Sequence, residues 1–105
     1  MIVVIFEVQP HKEGSQRYFD LAAELRPELE KQDGFISIER FESLKTPGNY
    51  VSISYWRDKA AVAAWRGHEG HAAAQALGKE EIFADYRITV TETLRAYGPK
   101  GPLPI

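Results

Sequence analysis

Residues 50–75 read YVSISYWRDKAAVAAWRGHEGHAAAQ, and they decide the fold. The first seven, Tyr50 to Trp56, alternate larger apolar residues with serine, the period-two pattern of a strand with two different faces. Arg57-Asp58 then breaks the pattern. Asp58 is a strong helix cap, and KAAVAAWRG after it is rich in helix formers. Gly67 and Gly70 weaken the helix in its middle, so a break near them and a resumption through HAAAQAL to Gly78 are expected. A strand running straight into a helix sets the unit from which the rest is built. This stretch also holds Trp65, His68 and His71, one of the two tryptophans and two of the three histidines.

Upstream, FISIERFES (35–43) alternates as well, with Phe35, Ser37, Glu39 and Phe41 on one face and Ile36, Ile38 and Arg40 on the other. LKTPGN turns the chain at Pro47-Gly48-Asn49, so 35–43 and 50–56 form a hairpin with a longer loop. Residues 2–9, from Ile2 to Val8, are β-rich and stop at Pro10 and Gly14. Ser15 can cap a helix through QRYFDLAAELRPELEKQ, whose apolar stripe is Phe19, Ala22, Ala23, Leu25 and Leu29. Pro27 lacks an N–H and predicts a kink or a tightened turn. Downstream, DYRITVTETLRAY (85–97) is the closing strand. The tail PKGPLPI (99–105) is poor in sheet formers and reads as loose, or as a strap across a partner.

The order is β-α-β-β-α-β, the ferredoxin-like α+β arrangement: a four-stranded antiparallel sheet with two helices on one face. The other face then carries too much apolar surface for open solvent, with Phe35, Phe41, Tyr50 or their strand-mates. Stacking two sheets into a dimeric α+β barrel would cover it and protect the edges. A homodimer through sheet faces, with 1–98 as the domain and 99–105 as its tail, is the expectation.

Composition excludes several classes. The chain has 105 residues, enough for one domain. Net charge is −2 with both signs interspersed, which argues against nucleic acid as a partner. There is no cysteine, so thiolate nucleophiles, disulfides and cysteine metal ligands drop out. The apolar start MIVVIFEV is short and meets Glu7, unlike a targeting segment, and no stretch approaches a membrane span; the expectation is a cytoplasmic protein with no membrane partner. No phosphate-cradling loop or serine elbow is present.

Trp65 and His68 are three apart and share a helix face, whereas Trp65 and His71 do so only if the glycines bend the helix. Trp65 can serve as helix-on-sheet packing or as a pocket wall. His71 can be a functional polar group or a half-buried histidine with a local hydrogen bond. Glu7 and Glu39 can pair with Arg40, Arg87 or Arg95. A metal needs three convergent ligands, and the spacing demands none.

The chain resembles the antibiotic biosynthesis monooxygenase superfamily of dimeric α+β barrels. The features that carry it are Tyr55-Trp56 at a strand end, the acid-capped helix with Trp65, then His71, Gly78, Ile82-Phe83, Tyr86 and a closing Arg95-Ala96-Tyr97. The resemblance covers about residues 1–98. It implies a cofactor-independent monooxygenase that oxidises a phenolic, quinol or polyketide-like aromatic with O2. The implied catalytic residues are His71, Trp65 and Arg87, and the implied substrate contacts are Tyr55, Phe83, Tyr86, His68, Gln75 and Glu7. Histidine can take a phenolic proton, arginine can hold an anionic oxygen, and aromatic walls pack a planar ring. The haem-degrading branch uses an asparagine late in the first strand, a tryptophan in the second helix and a histidine ten residues beyond it. Those positions fall on Glu7, Trp65 and Gln75, and glutamine is a poor haem-iron ligand. Haem binding and a non-catalytic dimeric ligand-binding or stress protein are the alternatives.

Overall fold

The computed structural model describes residues 1–68 and 82–103. Among these residues the elements run β1 (Ile2–Pro10), α1 (Ser15–Glu30), β2 (Phe35–Glu42), β3 (Tyr50–Trp56), α2 (Lys59–Arg66), β4 (Phe83–Glu92), β5 (Tyr97–Gly98) and β6 (Gly101–Pro102). The main sheet has the order β2-β3-β1-β4, all neighbours antiparallel. This is the expected ferredoxin-like order.

The barrel is corrected. Among the described residues the sheet is open: β2 pairs only with β3 and β4 only with β1, leaving two edges. Closing it would require those edges to hydrogen-bond to each other, and two strands separate them. The molecule is instead a slab of 43 × 34 × 19 Å, and its thin dimension fits one helix layer on one sheet.

Register assigns the faces, because directly paired residues point the same way. Ile2, Val4, Phe6 and Val8 of β1 face the helices together with Ser52, Ser54 and Trp56 of β3. Val3, Ile5 and Glu7 share the opposite face with Val51, Ile53 and Tyr55. Serine therefore points inward on β3, opposite to what hydrophobicity alone suggests. The reason is bulk. Trp56 is only 2% exposed and its indole Nε1 donates to Ser54 Oγ at 3.0 Å, so the small neighbour both makes room and satisfies the buried donor.

Two clusters form the core. One joins Ile2, Leu29, Trp56, Ala61, Val62 and Trp65; the other joins Val8, Tyr18 and Ile82 and draws in Phe6, Phe19, Tyr50 and Phe83. Two of the apolar residues expected on the open face lie elsewhere. A register shift between Phe35 and Ser37 turns Phe35 onto Trp56, with ring centroids 5.3 Å apart. Tyr50 faces α1, 5.0 Å from Phe19. Phe41, paired with Val51, stays on the open face.

The helix starts differ in their chemistry. Asp58 caps α2 as expected, its Oδ1 accepting from the Ala61 N–H at 2.9 Å. Ser15 does not cap α1: Gly14 is the cap residue, with no side-chain bond, and Ser15 is the first helical residue. A Cβ on Gly14 would lie 2.7 Å from the Ile82 carbonyl, so packing against the start of β4 favours glycine over a better cap. Helix α1 runs through Pro27 to Glu30; the carbonyl that Pro27 leaves without a helical donor belongs to Ala23, which is exposed to water. Helix α2 stops at Arg66 with Gly67 as its C-cap, as the glycine predicts. Tyr97–Gly98 pairs with Gly101–Pro102 as a small hairpin, turned at Pro99 and Lys100, with Gly101 at φ +114°.

Candidate functional site

At one end of the open face, where the later residues of β1 meet the first turns of β3 and β4, lies a groove of about 540 Å³. Its floor is Glu7 and Gln9 of β1 with Val51 of β3, and its walls are Asn49, Asp85, Tyr86 and Arg87. The β1–β4 register places Glu7 directly opposite Arg87. Arg87 Nε stands 3.8 Å from Glu7 Oε2, and both side chains are more than half exposed. That distance is beyond a hydrogen bond, so the pair is a charge contact rather than a hydrogen-bonded one. Asp85 Oδ1 accepts from the backbone N–H of Tyr86 at 2.9 Å, inside β4 next to the register shift at Gln9 and Pro10. The Tyr86 ring lies 6.3 Å from Phe6 and 6.0 Å from Phe83, joining the groove rim to the aromatic core.

The predicted site residues divide into separate groups. Glu7, Tyr86 and Arg87 line the groove. Phe83 packs inside the second core cluster, 5.7 Å from Tyr18 and 5.5 Å from Phe6. Tyr55 is on the groove's face of the sheet but pairs with Val3, four residues along β3 from Val51 and so about 13 Å away at the strand rise. Trp65 is 8% exposed within the first core cluster. His68 stacks on it, ring centroids 5.0 Å apart and 28° between planes, as their three-residue spacing predicts. His68 Nε2 also lies 3.8 Å from Glu28 Oε2, bridging the end of α2 to α1. His71 and Gln75 fall outside the described residues. The two groups that the described residues bring together are therefore the polar groove and the tryptophan–histidine stack, and they sit on opposite faces of the sheet.

Sequence reasoning missed Gln9, Ser43, Asn49 and Asp85 as groove residues. Their one signal is position: each lies at a strand end or in the β2–β3 loop, where chain ends converge. It also treated Arg40 as a possible partner of Glu7. Arg40 pairs with Ser52 and therefore faces the helices, away from Glu7. Among the described residues no three histidine or carboxylate side chains gather as a metal site, and no helix is long and apolar enough to cross a membrane.

Comparison with known proteins sets this geometry in a family. The family model described as antibiotic biosynthesis monooxygenase matches residues 1–77. The chain is 40% identical over 90 residues to a jasmonate monooxygenase of Pyricularia oryzae, covering 86% of this chain and 42% of that protein. It is 29% identical over 83 residues to the uncharacterised protein YqjZ of Bacillus subtilis, covering 79% of this chain and 65% of that protein. The chain thus spans under half the length of the first relative and about two-thirds of the second. Among solved structures, a Mycobacterium tuberculosis protein superposes with a TM-score of 0.81 at 21% identity, covering 92% of this chain and 98% of that one. A Deinococcus radiodurans protein described as a candidate monooxygenase of the same kind gives 0.80 at 20% identity, covering 93% and 97%. These two likenesses establish the fold. The sequence match over most of the domain establishes the family, and the chain belongs to the antibiotic biosynthesis monooxygenases.

Proposed function

We propose that this protein is a small-molecule monooxygenase that oxidises a phenolic, quinol or polyketide-like aromatic with O2 and no bound cofactor. The observation that carries the reading is the family match over residues 1–77. A groove of about 540 Å³ supports it, since ligand sites for drug-sized molecules run from roughly 300 to 1,000 Å³. An electron-rich substrate needs no outside reductant. A hydroquinone that gains one oxygen atom becomes a hydroxyquinone, and its two lost hydrogens leave with the second oxygen atom as water. The protein has only to bind the ring, favour the phenolate and exclude side reactions. Arg87 holds the anionic oxygen, Tyr86 supplies an aromatic wall, and His71 takes the phenolic proton. A second copy covers the open face that carries Val3, Ile5, Phe41, Val51, Ile53 and Tyr55, making a homodimer.

A second reading follows from the 40%-identical relative, whose name gives jasmonate as its substrate. Jasmonate is a cyclic ketone with a carboxylate, an anion that Arg87 also suits. Hydroxylating one of its saturated carbons would consume two electrons from an external reductant, which separates the two readings experimentally. Oxygen uptake should be measured with hydroquinones, anthrone-like phenols and jasmonate, each with and without reduced nicotinamide. The first reading expects reductant-independent uptake with one or more of the phenols, falling about 100-fold in kcat/KM in Arg87→Gln and in His71→Ala. Uptake with jasmonate alone, and only with reductant, would select the second. No uptake with any substrate would sink both and leave a ligand-binding role. A Soret band on adding haemin would turn the reading to haem.

A further inference from the structure

The groove has a floor and sides and no roof. Every described residue that lines it belongs to a strand of the main sheet or to the β2–β3 loop, and none comes from a helix. It lies on the open face, which register orders in rows across β2, β3, β1 and β4. One row runs Phe41, Val51, Glu7, Arg87, and the next runs Glu39, Ile53, Ile5, Thr89. A third begins at Ser37 and ends at Thr91. Glu39 is exposed, its neighbour on β3 is Ile53, and among the described residues no cation pairs with it. Arg87 stands at the other edge of the sheet, three strand spacings or roughly 14 Å from β2. Any cover over this face must therefore be apolar in the middle, cationic over β2 and anionic over β4. The face itself has that pattern once it is turned over.

We propose that a second copy roofs the groove, and that Phe41 and Glu39 of the partner subunit complete it at Arg87. The assignment rests on the homodimer proposed above and goes beyond it by fixing which residues meet. Two copies of one face meet about a two-fold axis, and for aligned sheets that axis runs either nearly across the strands or nearly along them. An axis across the strands lays each strand over its own copy. Glu39 then faces Glu39 of the partner subunit, and like charges meeting in a desolvated interface are costly. An axis along the strands lays β2 over the partner's β4 and β3 over the partner's β1. Ile5 then meets Ile53 of the partner subunit, and Phe41 of the partner subunit lies over the Glu7–Arg87 pair. Glu39 of the partner subunit stands two residues, about 7 Å, along the strand from that point, where the long Arg87 side chain reaches it. The two-fold repeats both contacts. A ring over the groove can stack on the guanidinium and shuts out water, so that Arg87 acts on a bound anion through a lower dielectric. The groove is complete only in the dimer.

The chain has no cysteine, so cross-linking can be directed to chosen positions. Ser37→Cys and Thr91→Cys, made in separate full chains, co-expressed and treated with a short bis-maleimide, are expected to give a linked heterodimer, because an axis along the strands sets Ser37 over Thr91 of the partner subunit. Neither substitution touches Glu39, Phe41 or Arg87. Ser37→Cys co-expressed with Phe41→Cys, the pair that an axis across the strands would bring together, is expected to give none. Charge reversal reads the same contact independently. Glu39→Arg and Arg87→Glu each weaken the dimer about tenfold or more in sedimentation equilibrium, and the double variant recovers it. A dimeric wild type that links Ser37→Cys to Phe41→Cys and not to Thr91→Cys overturns the inference and leaves the homodimer standing. So does a double variant no tighter than either single one. A monomeric wild type overturns both. None of these measurements reads oxygen uptake, so a failure of the oxygenation reading registers separately.

Discussion

Gly34 sits where the chain leaves α1 for β2, at φ +88°, and a Cβ there would come 2.5 Å from the Cβ of Ala61. Both the left-handed backbone and the approach of α2 exclude a side chain. Gly34→Ala is expected to destabilise by more than about 1 kcal/mol, seen as a lower urea midpoint; an unchanged midpoint would show that α2 can yield. Trp65 makes the complementary case. Its indole fills the core between Ile2, Leu29 and Trp56, so Trp65→Ala should cost about 3–5 kcal/mol, read from the same urea titration. A loss below about 1 kcal/mol would mean that the ring is not a core element. From the sequence Trp65 can serve as packing, as a pocket wall or as both; its burial shows the packing role.

The joint between β3 and α2 shows how one charged cluster can position elements. Arg57 Nη1 and Nη2 donate to the two oxygens of Asp33 at 3.0 and 3.1 Å, and its Nε donates to Asp58 at 2.9 Å, while Asp58 also caps α2. The Arg57 N–H donates to the Gly34 carbonyl at 2.7 Å. The hydrogen bonds from Arg57 hold the carboxyls of both Asp33 and Asp58 below the usual value of 3.8. Folded-state values lowered in this way stabilise the protein above the unfolded carboxyl range, and the contribution is lost as pH falls through the lowered values. The groups are exposed and screened by solvent, so the effect is small. The melting-temperature difference between wild type and Asp33→Asn should be present at pH 7 and should shrink below about pH 4; a gap that widens in acid would refute the linkage. Asp58→Ala should lower the melting temperature as well, because it removes both the cap and the ion pair. Element types and most boundaries were legible from period and capping. The cap of α1 was not, because the close approach of Ile82 that requires Gly14 joins residues far apart in sequence.

For the whole molecule, the open face is the main consequence of the topology. Phe41 and Tyr55 are 44% and 38% exposed there, beside Val3, Ile5, Val51 and Ile53. If a second copy covers this face, light scattering should give twice the chain mass and Phe41→Asp should give a folded monomer. A monomeric wild type at concentrations well above micromolar would exclude the homodimer. The candidate site divides in the same way. Glu7, Tyr86 and Arg87 were named from the sequence and all three line the groove; the β1–β4 register puts Glu7 and Arg87 on the open face, while Tyr86, opposite Val8, turns toward the helix side at the groove's rim. Phe83, Tyr55, Trp65 and His68 were named beside them and lie elsewhere, because helix spacing and strand alternation fix which face a side chain takes but not which other element it meets.

The sequence by itself determined the ferredoxin-like order, the hairpin, the cap at Asp58 and the break at Gly67, since each depends on propensity and period over a few neighbouring residues. It also determined family membership over residues 1–77. The tertiary structure decided that Ser52 and Ser54 point inward, that Phe35 turns to Trp56, that the sheet stays open, and that Arg40 stands over Tyr18 rather than beside Glu7. These depend on register and on the bulge after Phe35, where a shift of one residue moves a side chain to the other face of the sheet. Nothing local to those residues records that choice; it is made by the packing of Trp56 and Trp65 on the helix side.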